Sequence, residues 1–84
     1  MISPRQIKAA RTLLGWSQQE LADKAVLSLS TVLSMEKGKA DPRLSSLTAV
    51  QRALNRGGIE FIPEDDVRGE GLRFSAPSAQ REQP

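Results

Sequence analysis

Cys and His, the side chains behind much nucleophilic and metal chemistry, do not occur among the 84 residues. Disulfides, thiolate sites and imidazole ligands are therefore excluded. Serines are plentiful, but a serine with no base to take its proton is a cap or a surface hydroxyl, not a nucleophile. The run Glu64-Asp65-Asp66 falls between two β-favouring segments, where it keeps a loop solvated. Catalysis is not the expected chemistry, and no cofactor, metal or small-molecule ligand is expected. What remains is the chemistry of fixed positive charge. Residues 1–58 hold nine Lys/Arg against four acids, net +5, while residues 59–84 hold three against six, net −3. A polyanion would bind the N-terminal part.

The elements that must position those cations can be read from caps and periodicity. A first helix starts at Ser3, with Pro4 at the first helical position and Gln6 completing a capping box. Ile2 and Ile7 form its hydrophobic staple, and it stops at Gly15. A second helix starts at the capping box Ser17-Gln18-Gln19-Glu20, stapled by Trp16 and Leu21, and ends near Ala25. After a tight turn at Val26-Leu27, Ser28 caps a third helix, which Lys37-Gly38-Lys39 ends. Leu44, Leu47, Val50 and Leu54 give a fourth helix its buried stripe, and Gly57-Gly58 stops it. Then the period changes. Ile59-Glu60-Phe61-Ile62 and Leu72-Arg73-Phe74 predict a β-hairpin with a long polar loop. The tail from Ser75 to Pro84 is small and polar and is expected to be disordered. The division expected is a helical, polyanion-binding domain over 1–58, a hairpin over 59–74 and a tail over 75–84. No apolar run approaches the roughly 20 residues that span a bilayer, and the N-terminus lacks the apolar stretch of a signal peptide. A soluble cytoplasmic protein is expected, with no membrane partner.

Two short helices, 17–25 and 28–37, joined by a tight turn have helix-turn-helix spacing. The second can lie in a major groove about 12 Å wide while the first crosses the backbone. In order and spacing, Ser17-Gln18, Glu20-Leu21-Ala22, Ala25, Ser28, Thr31-Val32, Met35-Glu36, Gly38-Lys39, Pro42 and Leu47 resemble the Cro and phage-repressor (XRE) family of transcriptional regulators. The resemblance covers about residues 3–56. It implies a mainly α fold: a four-helix, lambda-repressor-like domain, here followed by the β-hairpin.

The resemblance also implies roles. Ser28, Leu29, Ser30 and Ser34 occupy the positions that face base edges. Gln18 matches a phosphate-gripping residue, Thr31 touches phosphate or base, and Lys37, Lys39 and Arg43 fall where the family contacts the DNA backbone. Arg11 and Glu36 match a family ion pair between the first and third helices. Several of these residues have a structural rival. Gln18 is equally a first-turn helix residue, Ser28 is a cap in any case, and Lys37 and Lys39 suit a cationic helix end. Trp16 reads as core rather than as a base-stacking ring.

Two departures from the family matter. Val26 stands where glycine is common, and a β-branched residue strained at positive φ predicts another backbone path, with the third helix rotated. The groove-facing stretch Leu29 to Ser34 holds no Arg, Asn or Gln, so bidentate pairing to guanine or adenine is missing from it. Hydroxyl contacts, thymine methyls against Leu29, and DNA shape are expected to carry readout.

An isolated hairpin is marginal in water, and Ile59, Phe61, Leu72 and Phe74 need cover. A homodimer through these residues would also read a palindromic operator with half-sites about 34 Å apart. The competing arrangement is a monomer with an internal hairpin. At a promoter such a dimer would block RNA polymerase, and upstream of one it would recruit it; the sequence leaves both open. A rival of another class is an antitoxin-like or antiactivator interaction module on the same fold.

Overall fold

A computed structural model describes residues 2–39 and 41–77. Four helices come first: α1 (Pro4–Leu13), α2 (Gln18–Ala25), α3 (Leu29–Lys37) and α4 (Leu44–Gly57). Two antiparallel strands follow, β1 (Ile59–Ile62) and β2 (Gly71–Phe74). The fold is thus mainly helical with a C-terminal hairpin. Of the expected tail, residues 78–84 lie outside the described residues.

Serine caps start the first three helices. Ser3 and Ser17 each form a full capping box, with Gln6 and Glu20 returning the bond to the cap N–H. Ser28 accepts from the Thr31 N–H at 3.2 Å. Each such cap stabilises its helix by about 1 kcal/mol. The staple residues Ile2, Ile7 and Leu21 are all buried. The core joins Ile7 and Ala10 of α1, Leu21, Ala22 and Ala25 of α2, Val32 and Met35 of α3, and Leu47, Val50, Ala53 and Leu54 of α4. Fully burying a side chain such as Leu54 or Val32 contributes about 1.5–3 kcal/mol.

The expected detour at Val26 does not occur. Val26 adopts the left-handed conformation itself, φ 57° and ψ 48°. Its N–H reaches the Asp23 carbonyl at 3.2 Å, and the Leu27 N–H reaches that of Ala22 at 2.9 Å. These bonds satisfy the carbonyls at the end of α2 and offset the steric cost of the turn. The side chain projects into solvent, 88% exposed, so no packing clash adds to that cost. The turn into α3 therefore takes the path a glycine would give.

Gly57 has a second use beyond ending α4. A Cβ there would stand 2.6 and 2.8 Å from ring carbons of Trp16 and 2.9 Å from Leu14 Cδ1. Only a bare backbone lets Trp16 lie across the end of α4. The ring packs on the core, and the Lys24 ammonium sits 4.8 Å above it.

The hairpin pairs Ile59 with Phe74, Glu60 with Arg73, Phe61 with Leu72 and Ile62 with Gly71. Directly opposed residues share a face, so Ile59, Phe61, Leu72 and Phe74 form one apolar side. That side turns onto the helices, with β1 against α4 and β2 against α1. Ile59 is buried in the core, and Phe61, Leu72 and Phe74 are half-buried beside it. The opposite side carries the Glu60–Arg73 ion pair at 2.8 Å.

Candidate nucleic-acid interface

Helix α3 is amphipathic along its length. Val32 and Met35 point into the core, while Leu29, Ser30, Ser34 and Lys37 are exposed. Thr31 and Leu33 lie half-buried at the borders. The first turn is laced by hydroxyls: Ser28 Oγ lies 2.8 Å from Thr31 Oγ1 and 3.2 Å from Ser30 Oγ. A shallow hollow beside α3 is lined by Ser30, Thr31, Ser34, Pro42, Arg43 and Ser46. Lys37, Lys39 and Arg43 are exposed, and Arg43 borders the hollow. Helix α4 opens there without a side-chain cap, which leaves its first N–H groups to water or an anion.

The angle of α3 is fixed from behind by an ion pair. Arg11 Nε and Nη2 donate to the two oxygens of Glu36 at 2.7 and 3.0 Å. The fork geometry makes this bidentate. The side chains are only 14% and 3% exposed. Donating to the Glu36 carboxylate holds the Arg11 guanidinium charged, its pKa raised above the ordinary arginine value. Arg11 Nη1 also donates to the Trp16 carbonyl at 3.0 Å, just before α2 begins. Gln18 Nε2 donates to Glu36 Oε1 at 3.2 Å. One carboxylate thus ties α1, α2 and α3 together.

A family profile described as helix-turn-helix matches residues 7–61. The chain is also 37% identical over 62 residues to an uncharacterized HTH-type transcriptional regulator of Methanothermobacter thermautotrophicus. That match covers 71% of this chain and 90% of the relative. The chain belongs to the XRE-type helix-turn-helix family. The matched span runs from within α1 into β1, so it takes in the ion-pair network and all of α3.

Within this helix-turn-helix frame the residues singled out by sequence fall into three groups. Leu29, Ser30 and Ser34 face outward together, with Ser28 and Thr31 tied into the cap beside them. Gln18 is not isolated at the surface, because one of its amide hydrogens is engaged by Glu36, and its second amide hydrogen makes no bond among the described residues. Ile59, Phe61, Leu72 and Phe74 lie on the hairpin, away from α3, and Ile59 is closed off inside its own protomer. Among the described residues no group of acidic side chains gathers as metal ligands, and no helix is long and apolar enough to cross a membrane.

Sequence reasoning missed the polar attachment of the hairpin. Gln6 was legible as a capping-box residue, and its Oε1 does accept from the Ser3 N–H at 3.0 Å. Its Nε2, however, donates to the carbonyls of Gly71 at 2.9 Å and Ile62 at 3.4 Å. Beside it, Arg5 pairs with Glu70 at 2.9 Å and the Ser3 hydroxyl donates to the same carboxylate. These bonds lower the Glu70 pKa, the Ser3 bond contributing most. A buried glutamine in an N-terminal turn was the available signal, and it does not name its partner.

Proposed function

We propose that this chain is a sequence-specific transcriptional regulator that binds double-stranded DNA as a homodimer at an inverted-repeat operator. The observation that carries the reading is the outward face of α3. Leu29, Ser30 and Ser34 are exposed, uncovered by their own protomer, while the ion pair Arg11–Glu36 fixes the helix from behind. Ser28, Leu29, Ser30 and Ser34 meet base edges. Gln18 and Thr31, with Lys37 and Lys39, neutralise or bond phosphates. Residues 1–58 form the DNA-binding unit. The hairpin 59–74 joins two copies through the half-buried Phe61, Leu72 and Phe74, with Ile59 supporting from beneath. The regulator acts in the cytoplasm and represses by occupying a promoter, its own among them, in competition with RNA polymerase.

The test uses the DNA immediately upstream of the gene. The full chain should protect paired half-sites there, with affinity falling steeply as salt rises. Sedimentation at the same concentrations should give a dimer. Salt-independent binding, or no binding below 50 mM salt, would sink the DNA reading; a monomer on a single half-site would sink the dimer.

A second reading draws on the exposed apolar side chains Val26, Leu29 and Leu44. They suit an antitoxin-like or antiactivator module that docks a protein through α3. Such a module would bind its partner with little salt dependence and leave upstream DNA unprotected.

A further inference from the structure

Arg43 differs in its setting from the other cations near α3. It precedes the first turn of α4 in extended conformation, φ −65° and ψ 143°, and its side chain caps nothing. Among the described residues no hydrogen bond or ion pair holds its guanidinium. It shares the wall of one hollow with Ser30, Thr31 and Ser34 of α3 and Ser46 of α4. Lys37 and Lys39 do not line that hollow. A long, unengaged fork of N–H donors therefore borders the same space as the outward hydroxyls of α3.

The chemistry of that space is uneven. Ser30, Thr31 and Ser34 are short, and a hydroxyl bonds either base type, so they discriminate weakly. A guanidinium presents parallel N–H donors at the spacing of guanine O6 and N7, the commonest specific contact in a major groove. Since the stretch 29–34 has no Arg, Asn or Gln, any bidentate donor to this groove comes from beside that stretch. Arg43 is placed to supply it.

We infer that Arg43 reads a guanine, at one position of each half-site, in the groove that α3 enters. This departs from the backbone role implied by family resemblance, and it rests on the DNA-binding reading above. Arg43 then supplies the strongest single base preference in a site whose helix reads softly. Lysine would keep the charge there but lose the fork.

The experiment presents the full-length protein with a pool of duplexes randomised over about 20 base pairs and sequences the bound fraction. Arg43→Lys and Arg43→Ala are selected in parallel, each checked for an unchanged circular dichroism spectrum. The wild type should enrich a guanine at a fixed position. Arg43→Ala should lose about 5- to 150-fold in preference there while keeping the others, and Arg43→Lys, which keeps donors but not the planar fork, should lose less. Replacing that guanine by 7-deazaguanine, which removes N7, should weaken wild-type binding and leave the alanine variant unaffected. The inference is overturned if Arg43→Ala weakens all duplexes alike and lowers the salt slope by about one contact, the mark of a phosphate clamp. It also falls if the wild type binds the pool yet enriches no guanine that depends on Arg43. Failure of the wild type to enrich any duplex at low salt is a different result, and it overturns the DNA-binding reading itself.

Discussion

Helix α1 carries two polar clamps, one at each end, and they are built differently. Near its C-terminus Arg11 grips Glu36 in a pair with little solvent access. At its N-terminus Ser3, Arg5 and Gln6 hold the hairpin through Glu70 and two backbone carbonyls. In that second clamp the ionic part is open to water, Arg5 being 89% exposed and Glu70 23%. Exposed pairs contribute little, about 0–1 kcal/mol, whereas stripping one partner from a buried pair costs several times more. The same helix thus fixes α3 rigidly and the hairpin by weaker, separable bonds. On the proposed function, a readout element needs a defined angle, while a hairpin that joins two copies can adjust.

The sharpest way to break this contrast is at Arg11. Arg11→Ala leaves the Glu36 carboxylate buried without its partner and should cost about 3 kcal/mol, as a urea midpoint shift at constant slope. Replacing both residues together, as Arg11→Met with Glu36→Leu, should recover much of that loss, because no lone charge is left. A double variant as unstable as the single one would show that the loss does not come from a stranded Glu36 charge.

Gln6 comes next. Gln6→Ala strands the part-buried carbonyl of Gly71 and the Ser3 N–H, at a cost of about 1 kcal/mol. The effect should be local. Amide exchange should speed up in β2 more than in α3. Uniform acceleration would mean that hairpin and helices open as one unit, and that the two clamps do not separate.

What could be read from the sequence follows from range. The caps at Ser3, Ser17 and Ser28 involve residues three apart, and their side chains do what their type and spacing dictate. The α4 stripe and the hairpin face are likewise periodic facts, and a profile of the family covers most of the same ground. Ile59 buried while Phe61 is only half-buried was not legible, since alternation gives the face and not the depth. Gln6 reaches a carbonyl 65 residues away, which no local pattern encodes. Nor does sequence tell why Gly57 is bare; a helix stop and a seat for Trp16 ask for the same residue. At Val26 the steric preference was real, but the hydrogen bonds ending α2 outweighed it.

Val26 offers a smaller effect of opposite sign. The left-handed conformation costs an L-residue about 1–2 kcal/mol, and glycine returns part of that gain through its freer unfolded chain. Val26→Gly should therefore stabilise by about 0.5–1 kcal/mol in urea titration, with DNA affinity unchanged. A loss of stability would mean that the turn was favoured by something other than its backbone bonds. A change in base preference would mean that α3 had moved.

The smallest effect concerns acid and the hairpin clamp. Glu70 is held below its ordinary pKa of 4.5 by the Ser3 hydroxyl first and Arg5 second. A carboxylate depressed in the folded state binds its proton more readily when unfolded, so it contributes stability above that ordinary value. The contribution fades as pH falls through the lowered folded value. Stability should thus drop slightly below about pH 4.5 in the wild type, and Glu70→Gln should remove that part of the slope. Asp65 is lowered too, by the N–H groups of Arg68 and Val67, but its bonds stay within the loop. Comparing Glu70→Gln with Asp65→Asn therefore separates a clamp between elements from a turn within one. If only Glu70→Gln lets β2 amides exchange faster at neutral pH, the N-terminal clamp acts across the molecule. If neither does, Gln6 alone holds the hairpin, and the contrast between the two ends of α1 reduces to one buried amide against one buried ion pair.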